Sequence, residues 1–118
     1  MIGVFDSGVG GLSVFKELRK ALPRERYVYF CDNAHCPYGT KSQQYIIDRA
    51  EAITKFLMDK GCNIIVVACN TATAAAIAHL RSHYPDFPFV GIEPAVKLAA
   101  AVTSKKVIGT LATAGTLS

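Results

Sequence analysis

Short apolar runs rich in β-branched residues alternate with helical segments along this chain of 118 residues, and the alternation strongly constrains its fold. Apolar residues recur at helical spacing in Leu12–Leu22 and in Tyr45–Met58, as in amphipathic helices. Asn63–Val67, by contrast, is typical of a buried strand. A β-α-β-α order indicates a mainly parallel, doubly wound sheet with helices on both faces. The sequence therefore predicts an α/β fold.

Turn and helix-end signals set the expected boundaries. Strands are expected at Ile2–Phe5, Tyr27–Cys31, Asn63–Val67, Phe87–Ile92 and Lys106–Leu111, and helices at Leu12–Leu22, Tyr45–Met58, Thr71–Tyr84 and Pro94–Val102. Gly61 is a typical helix-terminating residue. Pro88 cannot donate a backbone hydrogen bond, so it favours an edge position for the fourth strand.

Composition and charge exclude several classes of protein. The chain is 51% hydrophobic and 19% charged, as expected of one globular domain. It has no apolar run of the roughly 18 residues that span a bilayer, and Met1–Asp6 lacks the basic region of a signal peptide. We therefore expect a cytoplasmic protein without a membrane partner. The basic segment Lys16–Arg26 contributes to a net charge of +4, but it lacks the interleaved aromatic residues of a nucleic-acid surface.

Two groups of side chains have spacings that suggest a metal ion. Cys31, His35 and Cys36 lie close together, but no fourth ligand follows at a suitable spacing. His79 and His83 lie four residues apart on a predicted helix, without a glutamate in a suitable place between them. A solvated helix face explains that histidine pair more simply. We therefore expect no metal site, and reduced cysteines in a cytoplasmic chain.

Cys69, Asn70 and Thr71 form the most informative polar segment, because they follow a buried strand and open an Ala-rich helix. Backbone N–H groups and the helix dipole stabilise anions at such a position. A thiol there is expected to have a lowered pKa and to act as a thiolate. Polar residues, among them Asp6 and Glu93, also follow other predicted strands. In parallel sheets ligands bind beyond the carboxyl ends of the strands, so the sequence predicts a single crevice there.

A nucleotide- or anion-binding module with a flavodoxin-like sheet and no catalytic activity is the main alternative. Gly8 and Gly10 match the first two glycines of a dinucleotide-binding loop, and Asp32 stands where a ribose-binding acid would lie. Ser13 occupies the position of the third glycine, so the match is incomplete.

Five segments, taken together, carry a family resemblance. They are Asp6–Ser13, Pro37–Ser42, Ala68–Ala72, Gly91–Ala95 and Gly109–Thr113. In this order they resemble the bacterial glutamate racemases of the aspartate/glutamate racemase superfamily. Another racemase or a decarboxylase of the same superfamily stays open as a second reading.

The resemblance implies an isomerase that needs no cofactor and interconverts L- and D-glutamate, the D-form being used in peptidoglycan and hence in cell wall biogenesis and cell shape. Two cysteines on opposite faces of the α-carbon would remove and return its proton. Cys69 matches the first of these cysteines, and Asp6 matches the acid beside it. The positions that match substrate-binding residues are Asp6, Ser7, Tyr38, Gly39, Asn70 and Thr71.

The resemblance also implies a division of the chain. Family members have a second half with a Cys-Thr-His motif, which this sequence lacks. Residues 1–104 would be the first domain of a pseudo-symmetric two-domain racemase, and residues 105–118 the start of a truncated second domain. Ile2–Gly8 is echoed weakly by Ile108–Gly115. Because it has only one of the two thiols, the chain is expected to be inactive alone. Exposed strand surface can pair with a second copy, so a homodimer is a possible assembly.

Overall fold

The computed structural model describes residues 1–117 and confirms an α/β fold. Its strands are β1 (Ile2–Asp6), β2 (Tyr27–Cys31), β3 (Ile64–Val67) and β4 (Phe89–Gly91). Its helices are α1 (Leu12–Ala21), α2 (Gln43–Asp59), α3 (Asn70–His83), α4 (Val96–Val102) and α5 (Ala114–Leu117). Short 3₁₀ turns occupy Asn33–His35 and Tyr38–Thr40.

The four strands form one parallel sheet in the order β2-β1-β3-β4. β1 lies between two neighbours, and all five of its residues are buried. β4 lies at an edge and begins directly after Pro88. The prediction of an edge strand at this proline is therefore confirmed.

Alternate residues of the central strands face two different hydrophobic clusters. Phe5 belongs to the cluster that α2 and α3 cover, together with Ile53 and Leu80. Val4 belongs to the cluster that α1 covers, which includes Phe15. Because successive side chains of a strand point to opposite faces, the sheet is covered by helices on both sides, as predicted.

Local signals explain where α2 begins and ends. The hydroxyl of Ser42 accepts a hydrogen bond from the backbone N–H of Tyr45 at 3.1 Å, which satisfies a donor of the first turn. Gly61, just beyond the carboxyl end, has a φ of +93°, a conformation that glycine adopts without strain. Its predicted role at the end of the helix is confirmed.

The fifth strand predicted at Lys106–Leu111 is wrong, since the structure has no regular element there. A strand requires a hydrogen-bonded neighbour, and among the described residues this segment pairs with neither edge of the sheet. Val107 and Leu111 are exposed instead of packed. The short helix α5, which follows this segment, was not expected from the sequence. Within residues 1–117, no helix combines the length and apolar character needed to cross a bilayer.

Candidate active site

A crevice of about 490 Å³ lies at the carboxyl ends of β1 and β3, where the sequence predicts a site. Its walls come from the loop after β1, the start of α3 and the segment that leads into α5. The residues that line it are Asp6, Gly10, Ser13, Val14, Ala68, Cys69, Asn70, Thr71, Ile92, Pro94, Leu111, Ala112, Thr113 and Thr116. Of the residues predicted for the site, Asp6, Cys69, Asn70 and Thr71 are among them.

Cys69 occupies the junction between β3 and α3, as predicted. Its backbone is extended, and its Sγ accepts a hydrogen bond from the N–H of Ala72 at 3.4 Å. Only 8% of the residue is exposed. The sulfur is therefore both the capping atom of the helix and a buried group at the wall of the crevice.

The predicted lowering of the Cys69 pKa is wrong. Burial raises the pKa of this thiol, and the carboxylate of Asp6 raises it further. The N–H of Ala72 and the hydrogen bonds of Ser7 act in the opposite direction but do not compensate. A helix amino terminus favours an anion, but removing a thiolate from water costs more in this site. The resting group at neutral pH is therefore the thiol.

Asp6, at the end of β1, organises the loop that follows it. One carboxylate oxygen accepts a hydrogen bond from the N–H of Ser7 at 2.7 Å, and the other accepts from the N–H of Gly11 at 2.6 Å. A Cβ atom at Gly11 would lie 2.7 Å from the Tyr29 hydroxyl and 2.8 Å from the Asp6 Cβ. The loop can approach β1 and β2 this closely only with glycine at this position.

Ser7, which was predicted as a substrate-binding residue, lies between the acid and the thiol. Its Oγ lies 3.4 Å from Oδ1 of Asp6 and 3.8 Å from Sγ of Cys69. Hydrogen bonds at these distances are long, but they connect Asp6 and Cys69, which line the crevice, through Ser7, which is not among its lining residues.

Thr71 contacts a segment that sequence reasoning did not assign to the site. Its Oγ1 lies 2.7 Å from Oγ1 of Thr113 and 3.2 Å from Oγ1 of Thr116. The neighbouring Asn70 is exposed at the start of α3. Thr113 was part of the Gly109–Thr113 motif, and that membership was the signal that could have identified it.

Tyr38 and Gly39 lie in a 3₁₀ turn beside the same segment. Tyr38 is almost completely buried, and its hydroxyl donates a hydrogen bond to Asp32. Burial and the Asp32 carboxylate raise the pKa of Tyr38 well above its usual value. Atoms of the Thr113 side chain occupy the space in which a Cβ of Gly39 would lie. The Tyr38 hydroxyl is thus engaged in a hydrogen bond within the protein, whereas Gly39 contacts Thr113, which lines the crevice.

Asp32 is a buried structural acid and not an open ribose-binding group. Arg49 donates two hydrogen bonds to it, at 2.9 Å from Nε and 2.8 Å from Nη2, and Nδ1 of His35 lies 3.0 Å away. Burial raises the pKa of Asp32, but the hydrogen bonds of Arg49, Tyr38 and His35 outweigh it and hold the pKa below its usual value. Both carboxylate oxygens are engaged, which argues against the nucleotide-binding alternative.

Comparison with known proteins adds independent evidence. The model of the family described as Asp/Glu/Hydantoin racemase matches residues 2–118. Curated glutamate racemases from Pseudomonas paraeruginosa and Pseudomonas aeruginosa are each 59% identical over 116 residues, which is 98% of this chain and 44% of theirs. The chain therefore spans less than half the length of these relatives.

Solved structures agree in fold. The Escherichia coli glutamate racemase, crystallised with L-glutamate and the activator UDP-MurNAc-Ala, is 46% identical with a TM-score of 0.90 over 98% of this chain and 44% of that one. A Bacillus anthracis glutamate racemase is 42% identical with a TM-score of 0.86, over 99% of this chain and 44% of that one. The chain belongs to the Asp/Glu/hydantoin racemase family.

Proposed function

We propose that this chain provides the amino-terminal half of the active site of a glutamate racemase, an isomerase that uses no cofactor. The observation that carries the proposal is the position of Cys69, whose sulfur lies at a helix start, beside Ser7 and Asp6, at the wall of a crevice. L-Glutamate in the crystal structure of the Escherichia coli relative supports glutamate as the substrate.

The proposed step is removal of the α-proton of glutamate by the Cys69 thiolate. The C–H bond breaks, an S–H bond forms, and the electron pair is delocalised into the α-carboxylate. A thiol on the other face then gives a proton to the α-carbon, which inverts its configuration. That second thiol is implied by the family resemblance. Such a step needs a base held close to the substrate and donors directed at the developing charge.

The raised pKa of Cys69 fits this chemistry in one respect. An α-proton is a weak acid, and a thiolate derived from a thiol of higher pKa is a stronger base. The ammonium group of a bound amino acid would add a positive charge near the sulfur and favour the thiolate. Asp6 would then have two roles, holding the loop and keeping the sulfur basic.

The remaining predicted substrate-binding residues lie around Cys69 and Thr113. Asn70 lines the crevice, the Oγ of Ser7 lies 3.8 Å from Sγ of Cys69, and the start of α3 suits the α-carboxylate. Thr71 and Gly39 would act together with Thr113, which both contact. Tyr38 would contribute its backbone, since its hydroxyl donates to Asp32.

A chimaeric enzyme tests the proposal. This chain replaces the matched 44% of the Pseudomonas aeruginosa glutamate racemase, and the product is incubated with L-glutamate in deuterated water. We expect α-deuteration together with loss of optical rotation, and we expect Cys69→Ser to reduce both by a factor of roughly 10² to 10⁴. Cys31→Ser, which changes an exposed cysteine, is the matched control. A fully active Cys69→Ser chimaera would refute the role of this sulfur.

The same assay tests the chain alone. A single thiol serves one face of the α-carbon, so we expect slow exchange at most and no inversion. Rapid loss of optical rotation by the isolated chain would contradict this expectation.

We further propose that residues 1–104 form the first racemase domain and that residues 105–118 begin a second one. The position of the core supports this boundary, because every buried residue of the described chain lies between Ile2 and Phe89. The proposed chemistry needs a reduced Cys69, which fits a cytoplasmic location. Homodimer formation through the exposed apolar residues after Pro94 stays a prediction, to be tested by light scattering.

A further inference from the structure

Away from the crevice, three potential metal ligands meet where α2 packs against α3. The Oε1 atom of Glu51 lies 2.9 Å from Nε2 of His79 and 3.8 Å from Nε2 of His83. Within the described residues these are the side chains that form such a group, and their ligand atoms all lie within 4.8 Å of one another. The proposed function uses none of them.

The fold brings to the two histidines an acid that does not lie near them in the sequence. Two histidines four residues apart lie on one face of a helix and can hold one ion together. Glu51 comes from the neighbouring helix α2, 28 residues earlier in the chain than His79. The sequence indicates only a solvated helix face at His79 and His83. In the structure a carboxylate lies beside this histidine pair.

The geometry is close to that of a zinc site. Zinc binds imidazole nitrogen at about 2.0–2.1 Å and carboxylate oxygen at about 2.0–2.2 Å in a tetrahedral arrangement, so ligand atoms lie roughly 3.3 Å apart. The distances from Glu51 to His79 and His83 lie on either side of that value. The two imidazole rings are nearly parallel, with an angle of 11° between their planes. Because the lone pair of an imidazole nitrogen lies in the ring plane, at least one of these stacked rings must rotate about its side-chain torsions before all three atoms point at one ion.

The three side chains are also accessible. The side chains of His79, His83 and Glu51 are 40%, 54% and 24% exposed, so an ion can enter from solvent and keep water as its fourth ligand. Two neutral imidazoles and one carboxylate favour first-row ions such as Zn²⁺ over Mg²⁺ or Ca²⁺. Lys55, whose charge acts on Glu51, opposes a cation there and limits the affinity.

We propose that Glu51, His79 and His83 bind a Zn²⁺ ion that links α2 to α3. The ion would act as a structural crosslink, separate from the proton-transfer chemistry of Cys69. The competing explanation is a surface hydrogen bond between Glu51 and His79 that binds no metal.

Calorimetric titration of the chain with Zn²⁺ tests the proposal without any substrate. The titration uses a Cys31→Ser, Cys36→Ser background, because thiolates are zinc ligands and these two cysteines are exposed. We expect one ion per chain. His79→Gln and His83→Gln should each weaken its affinity tenfold or more, although glutamine can still hydrogen-bond to Glu51.

Two further variants make the result specific. His35→Gln changes the remaining histidine, which contacts Asp32, and should leave the Zn²⁺ affinity unchanged. Lys55→Met removes the opposing charge and should tighten binding. Zn²⁺ should also raise the thermal midpoint of the parent and not that of the His79→Gln, His83→Gln double variant. Unchanged Zn²⁺ affinity in that double variant, or no binding by the parent, overturns the proposal.

Discussion

Ser7 and Cys69 are 62 residues apart in the chain, but the Oγ of one lies 3.8 Å from the Sγ of the other. The contact exists because β1 and β3 are neighbours in the sheet and both end at the crevice. It also places Asp6, which precedes Ser7, near enough to influence the titration of the sulfur.

Ser7→Ala should raise the pKa of Cys69 further, because it removes the side-chain hydrogen bond of Ser7, which favours the thiolate, and keeps the backbone one. The pH dependence of alkylation by iodoacetamide measures this pKa, since only the thiolate reacts at an appreciable rate. At a fixed pH of 8 the variant should react more slowly. Ser82→Ala, on the exposed face of α3 far from the sulfur, should leave the rate unchanged. Faster alkylation of Ser7→Ala would contradict the assignment.

Asp6→Asn should lower the pKa of Cys69, because it removes a negative charge that disfavours the thiolate. A lower pKa increases the fraction of thiolate at a pH below the pKa, so we expect alkylation at pH 8 to accelerate. Asparagine keeps an oxygen that can accept a hydrogen bond from the loop. In the chimaeric enzyme the same variant should lose racemase activity, since its thiolate is a weaker base.

Gly11→Ala should destabilise the fold by about 1–3 kcal/mol, the usual range for overpacking. The added methyl group would lie within 3 Å of both Tyr29 and Asp6. Urea denaturation measures the loss. Gly109→Ala is the control, because a Cβ there meets nothing within 4 Å, and its effect should stay below about 0.5 kcal/mol. Equal stability of the two variants would show that the loop can adjust.

Stability should fall in acid because of Asp32. Its pKa is held low in the folded chain, whereas an unfolded aspartate titrates near pH 3.9. The unfolded state therefore binds the proton first, and the stabilisation is complete above about pH 5 and lost as the pH falls through the folded pKa. Asp32→Asn should remove this part of the pH dependence.

At pH 7 the Asp32→Asn variant should also lose about 3 kcal/mol, because Arg49 would keep a partly buried charge without its partner. Urea denaturation at pH 7 and pH 4 measures both effects. Asp86→Asn is the control, since it changes an exposed aspartate on the chain. If Asp32→Asn and the parent lose stability in parallel on acidification, another group is responsible.

The helices α1, α2 and α3 could be predicted from the sequence to within two residues. Apolar residues at helical spacing indicated α1 and α2, and an Ala-rich segment closed by Pro85 indicated α3. The crevice at the strand ends was also predictable, since parallel strands place their carboxyl ends together. The strand predicted at Lys106–Leu111 is wrong, because an apolar segment becomes a strand only when a neighbouring strand pairs with it.

Contacts between residues far apart in the chain were the main features that could not be predicted from the sequence. The pairing of Asp32 with Arg49, the contact of Thr71 with Thr113 and the approach of Glu51 to His79 all depend on how elements pack. The pKa of Cys69 depends on burial in the same way. A helix start was visible in the sequence, but the loss of water around the sulfur was not.

The confinement of the core to residues between Ile2 and Phe89 has a practical consequence. Carboxypeptidase digestion should trim the chain from its far end and slow sharply on reaching β4, whose removal would expose Phe89 and uncover β3. The resistant product would retain Asp6, Ser7 and Cys69. It would be a minimal building block for grafting this half-site onto unrelated partner domains.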